Sequence, residues 1–132
     1  AEDAGFIINL KNSERKEFDN NITEQALNMI LNSPEMEKRK STVVYHETWH
    51  KGVIGIVASR LTEKYYRPTI VLTQSNGHIA GSARSVLGYD LYEALCECSD
   101  LLEQFGGHKY AAGLTMKPEN LPAFIHKFEE VV

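Results

Sequence analysis

The sequence predicts an α/β protein: a mixed β-sheet flanked by helices, with a helical arm at the N-terminus. Three observations carry that expectation. Two β-rich runs, "STVVYH" (41–46) and "TIVLT" (69–73), bracket a segment whose apolar residues recur at helical spacing. Asn76-Gly77 follows the second run and is a strong hairpin signal, because a type I′ turn needs positive φ at both central residues. Three further stretches carry apolar stripes of helical period, with start and stop signals at their ends.

Taken in order, Phe18, Ile22, Ala26 and Met29 form the first helical stripe, stopped at Ser33-Pro34. A helix with one apolar face needs a surface to cover it, either this domain's own core or a preceding domain. "EMEKRKS" (35–41) reads as a charged linker. After the first strand, Ile54, Ala58, Leu61 and Tyr65, widened by Val53 and Val57, make an amphipathic helix that Arg67-Pro68 ends. Strand, helix and strand within this span form a βαβ unit. The hairpin should return "HIAGSAR" (78–84) antiparallel to 69–73. Asp90 with Glu93 reads as a capping box for a helix carrying Leu91, Leu95, Cys98 and Leu102. That helix is expected to end at Gly106-Gly107. "AAGLTM" (111–116) is a further strand, and Pro118 or Asn120 opens a last helix with Leu121, Phe124, Ile125 and Phe128 inward.

Composition narrows the function classes. No apolar run approaches the ~18 residues of a membrane span, and the N-terminus lacks the basic flank and apolar core of a signal peptide. The sequence does not open with Met and reads as a processed or excised piece of something longer. Cys96 and Cys98 lie about 200° apart on a helix, which suits neither a bridge nor a shared metal. A reducing, cytoplasmic setting is the expectation. The net charge is −4, yet it is uneven: residues 1–37 carry eight acids and three bases, residues 41–89 five bases and two acids. Local positive charge suffices to bind phosphate.

His46-Glu47-Thr48-Trp49-His50 spells H-E-x-x-H, the signature of a zinc protease helix. The preceding residues favour strand and Gly52 follows at once, so no helical turn brings the two histidines together. Were the strand continuous, they would sit roughly 13 Å apart. The plainer reading places His50 in the loop before the helix, where Trp49, His50 and Lys51 approach a helix N-terminus attractive to anions.

Two other stretches carry chemistry. In "EQFGGHKYAAG" (103–113), Gly106 and Gly107 allow close approach of a ligand to main-chain N–H groups, with His108 and Lys109 at the rim. A plain glycine cap before a close-packed strand explains the same residues. In "GHIAGSARS" (77–85), Arg84 flanked by Ser82 and Ser85 would make a bidentate phosphate clamp. A surface arginine is the alternative.

"WHKGVIGIVASRL", "GSARS", "DLYEAL" and "LLEQFGGHKYAAGL", in that order, closely resemble the C-terminal half of the conserved core of the RecJ family, bacterial single-strand-specific 5′→3′ DNA exonucleases. That half is the DHH-associated domain of the DHH phosphoesterase superfamily. The resemblance runs from about Thr42 to the C-terminus, and residues 10–33 resemble the end of the helix joining the two core domains. It implies that residues 1–40 are connecting helix and linker and that residues 41–132 are a substrate-binding domain. The preceding DHH domain would hold Mn2+ or Mg2+; this chain has no Asp-His-His triplet and is expected to bind no metal and to be inactive alone. By the resemblance, Arg84 and His108 hold the phosphate of the scissile nucleotide. Gly106 and Gly107 supply backbone donors, Ser82 and Ser85 add hydroxyls, and Trp49, His50 and Lys109 are further contacts to single-stranded DNA. The role would lie in DNA repair and recombination. Relatives acting on oligoribonucleotides or cyclic dinucleotides carry three glycines before this His; Phe105 in the first place favours the exonuclease branch. A third alternative is a stand-alone nucleic-acid-binding module.

Overall fold

A computed structural model describes residues 12–132, with side chains from residue 21 onward. Helix α1 (Asn12–Leu31) and the short α2 (Pro34–Lys38) lead into β1 (Thr42–Tyr45). Then come α3 (Ile54–Lys64), the hairpin β2 (Thr69–Ser75) and β3 (His78–Arg84), and α4 (Leu91–Glu97). The edge strand β4 (Gln104–His108), β5 (Ala111–Met116) and α5 (Leu121–Val131) complete the chain. The five strands form one sheet in the order β1-β2-β3-β5-β4, parallel between β1 and β2 and antiparallel elsewhere. This is the expected mixed sheet with flanking helices.

Side chains alternate across the pleat, so each strand serves two cores. On one face Val43, Ile70, Leu72, Ile79, Ala83, Leu114 and Met116 pack against Leu91 and Leu95 of α4 and Phe124 and Phe128 of α5. On the other, Val44 and Val71 pack against Ile54, Val57, Ala58 and Leu61 of α3, which in turn bury Ile22, Ala26 and Ile30 of α1. Helix α1 therefore finds its cover within this domain. Ile30, not Met29, completes its buried stripe, and Met29 packs at the margin. The predicted place of Phe18 in that stripe lies outside the residues whose side chains are described.

The local signals hold where they act locally. Asn76 and Gly77 take φ of 50° and 81° at the hairpin turn, and the Asp90 carboxylate accepts the Glu93 N–H at 3.1 Å to start α4.

Two expectations are corrected. The stretch read as a charged linker carries a short helix, α2, which Ser33 caps. The Arg67 guanidinium holds the end of α2, donating to the carbonyls of Met36, Glu37 and Arg39 and, through Nε, to Thr42 Oγ1. On the other side the Glu129 carboxylate accepts from Lys40 N, Ser41 N and Ser41 Oγ. Secondly, α4 does not run to the double glycine. It stops at Glu97, a 3-10 turn spans Ser99–Leu101, and Gly106 and Gly107 lie in β4. "QFGGH" has little strand propensity of its own; pairing along β5 makes it a strand, and that partner is not a local signal. Gly107 has φ 144°, and a Cβ there would collide with the Ala111 carbonyl and the Ala112 backbone. Glycine is thus required by the close pairing of β4 on β5, not by a helix end.

Candidate functional site

Helix α3 packs across β2 and β3, with α1 against its other side, and leaves the β5–β4 side of that face more exposed. From β3 across β5 to β4, small residues lie in register. Ser82 pairs with Gly113, which pairs with Gly106. Arg84 pairs with Ala111, which pairs with His108. Directly opposed residues project to the same side of a sheet. Arg84 and His108 therefore share one face, two strand spacings or roughly 10 Å apart at their backbones. The floor between them is Ala111, with Ser82, Gly113 and Gly106 in the next row of that face. Gly106 and Gly113 are exposed, and no side chain at either fills the space.

Arg84 is half-buried at the foot of α3. Its Nη1 donates to the Ala83 carbonyl at 2.8 Å. Nη2 lies 2.9 Å, and Ser82 Oγ 3.5 Å, from the point a Cβ on Gly55 would occupy. Gly55 thus makes room for the guanidinium, with the Ser82 hydroxyl bordering the same space. Burial lowers the Arg84 pKa from its ordinary value, but a guanidinium starts so high that it stays cationic at neutral pH. Among the described residues no carboxylate pairs with it. A desolvated cation without an acidic partner is one that gains strongly from an incoming anion.

His108 is exposed at the end of β4, and its Nδ1 accepts the Tyr110 N–H at 3.4 Å. A neutral ring that accepts at Nδ1 carries its proton on Nε2, so the outward atom is a donor. β4 is the sheet's edge, which leaves alternate backbone N–H groups of the glycine pair without a strand partner. The face thus combines a cation, an imidazole N–H, a hydroxyl and an open glycine floor: the equipment to hold a phosphodiester.

The remaining predicted contacts divide. Lys109 is exposed beside His108 in the β4–β5 turn. The Ser85 hydroxyl donates to the Tyr89 carbonyl at 3.1 Å and its N–H to Tyr110 O, so it braces the loop behind Arg84. Trp49 is corrected: it is 4% exposed, wedged among α1 and α3 residues, and its Nε1 donates to Gln25 Oε1 at 2.8 Å. The His46 ring stacks against it at 5.7 Å, and so buried an indole leaves no face open to a base. The histidines of H-E-x-x-H flank a turn at Glu47-Thr48 and lie on neither a helix nor a continued strand. His46 Nδ1 accepts from Thr48 N and His50 Nδ1 from Gly52 N. His50 is exposed in the loop before α3, as the plainer reading expected.

Among the described residues no group of three or more His, Cys, Asp or Glu side chains is placed to hold a metal ion, so the residues present do not fit a catalytic metal centre. None of their helices is long and apolar enough to cross a membrane.

Sequence reasoning missed Gly55. Its signal was available: a glycine inside an otherwise apolar helical stripe costs stability and marks a close approach.

Known proteins resemble this chain in sequence and in fold. The DHHA1 domain family matches residues 38–132. The single-stranded-DNA-specific exonuclease RecJ of Bacillus subtilis is 39% identical over 133 residues, covering 99% of this chain and 17% of that protein. Its Escherichia coli namesake is 34% identical, covering 92% of this chain and 22% of that protein. The chain thus spans about a fifth of the length of the curated relatives it matches. The crystal structure of RecJ from Thermus thermophilus in complex with Mg2+ superposes with a TM-score of 0.77 at 34% identity, over 90% of this chain and 18% of that one. The C-Ala domain of Aquifex aeolicus alanyl-tRNA synthetase, at 14% identity and a TM-score of 0.61, shares the fold alone.

Proposed function

Because this chain belongs to the DHHA1 domain family, we propose that it is the substrate-gripping domain of a RecJ-like 5′→3′ exonuclease acting on single-stranded DNA. The observation that carries the reading is the row Arg84–Ala111–His108 on one sheet face, running from the foot of α3 to the exposed edge strand β4. Arg84 binds and orients a backbone phosphate, with the Ser82 hydroxyl beside it. His108 donates through Nε2 to a phosphoryl oxygen as negative charge builds there, a contact worth more in the transition state than in the ground state. The glycine floor lets the sugar-phosphate chain lie against the main chain. The described residues do not make a metal centre, and we assign the Mn2+ or Mg2+ of the reaction to a preceding DHH domain in the same polypeptide. Residues 1–40 then act as connecting helix and linker, and residues 41–132 as the domain that closes the cleft. The protein works in the cytoplasm, in DNA repair and recombination.

The test compares the isolated chain with the complete gene product on 5′- and 3′-labelled single strands, with and without Mn2+. The isolated chain is expected to bind weakly and salt-sensitively and to hydrolyse nothing; the complete protein is expected to degrade long single strands from the 5′ end. Robust hydrolysis by the isolated chain would overturn the division of labour. A preference of the complete protein for dinucleotides or short RNA would move the substrate to the other branch of the superfamily.

A further inference from the structure

On the far side of Arg84 from the glycine floor runs a second groove. Arg84 forms one wall; Ser59 and Glu63 of α3, Tyr66 just beyond it, Leu87 and Tyr110 form the rest. Its apolar surface is unusually open: Tyr66 is 68% exposed, Leu87 77% and Tyr110 39%. Two tyrosines and a leucine facing solvent beside a cation are a poor surface for an isolated domain and a good one for a flat aromatic ligand. The Glu63 carboxylate at the groove opposes a second phosphate but accepts hydrogen bonds from the exocyclic amine of a base.

Resting on the phosphate-binding role proposed for Arg84, we infer that this groove is a nucleobase subsite, in which Tyr66, Leu87 and Tyr110 receive the base of a nucleotide adjoining the gripped phosphate. The cation, the apolar walls and the acid line one groove, and a nucleotide offers a counterpart to each in its phosphate, its ring and its amine. Stacking is tolerant of sequence because every base has a π-face, so the subsite adds affinity for single strands, whose bases are free, over duplexes, whose bases are stacked.

The experiment uses the complete protein and two sets of oligonucleotides: an intact single strand, and versions with one abasic residue stepped through the first few positions. Tyr66→Ala combined with Tyr110→Ala is expected to weaken binding of the intact strand about tenfold. That loss should vanish for the strand whose abasic residue falls at the subsite. Tyr66→Phe, which keeps the ring, should bind as the parent does. Arg84→Ala serves as the control for the underlying role and should weaken intact and abasic strands alike. If the double tyrosine variant binds intact DNA normally, or loses affinity equally for every abasic strand, the subsite is refuted while the Arg84 result still stands on its own. If Arg84→Ala is without effect and the tyrosine variant behaves as expected, the base subsite stands and the phosphate grip falls. Both tyrosines are exposed, and a thermal melt at the parent's temperature excludes misfolding as the cause.

Discussion

Gly55 lies directly beneath the Arg84 guanidinium: a Cβ at position 55 would stand 2.9 Å from Nη2. A residue in the first turn of α3 thus decides where the side chain at the end of β3 can rest. The two are 29 positions apart in the chain and meet only because α3 packs across β2 and β3.

Gly55→Ala should therefore separate stability from function. Alanine in place of a helical glycine stabilises by roughly 0.5–1 kcal/mol, so the melting temperature is expected to hold or rise, the guanidinium being able to swing away. Displacing it from its place beside α3 should weaken single-strand binding severalfold. Melting and binding measured on one preparation check this; unchanged affinity would show that the guanidinium tip is not placed by Gly55.

Arg84→Ala in the complete protein should weaken binding to every sequence alike, because phosphate contacts carry no base information. The slope of log K against log salt should fall by about 0.7 for each single-strand phosphate that is no longer neutralised. Arg84→Lys should recover charge but not the forked geometry, and so restore only part of the affinity. Titrations at several salt concentrations decide it, and a slope equal to the parent's would exclude Arg84 from phosphate binding.

His108→Ala should lower turnover more than ground-state affinity, since its Nε2–H contact strengthens as charge develops on the phosphoryl group. Single-turnover rates beside equilibrium binding make the comparison. Equal losses in both would assign His108 to binding alone.

Arg67→Ala removes a guanidinium that makes four hydrogen bonds to the α2 turn and β1. At ~0.5–1.5 kcal/mol net each, with exposed partners recovering some from water, a loss of roughly 2 kcal/mol is expected. Hydrogen exchange should locate it at residues 36–42. Protection unchanged there would mean that Glu129 alone holds the segment.

Cys98 is buried, and burial pushes its thiol up to about 11 from 9.0. The folded state then keeps a proton that the unfolded chain releases near 9, so this contribution to stability is intact below pH 9 and declines as pH rises through about 11. Stability measured from pH 8 to 11 should fall with pH, more than in Cys98→Ala measured against its own value at pH 8. At pH 8, a thiol reagent should modify the exposed Cys96 first and leave Cys98 until the protein unfolds.

Whatever depends on near neighbours could be read from the chain alone. The Asn76-Gly77 turn, the Asp90 cap and the stripes of α3 and α5 were legible because each rests on residues within a turn or two of helix or hairpin. Arg84 and His108 were legible as candidates from their small-residue surroundings and from the family resemblance. The remainder waited on packing between distant segments. "QFGGH" is a strand because β5 lies beside it, and reads as a helix cap when that partner is out of sight. Trp49 looked exposed in a loop of polar neighbours, and was buried by α1, which arrives from 24 residues upstream to place Gln25 against its indole. Whether Arg84 and His108 face each other at all hung on the register of two strands against Ala111. A shift of one residue in either would have turned one of them to the opposite side, and backbone pairing over such distances is set by which surfaces the whole chain buries.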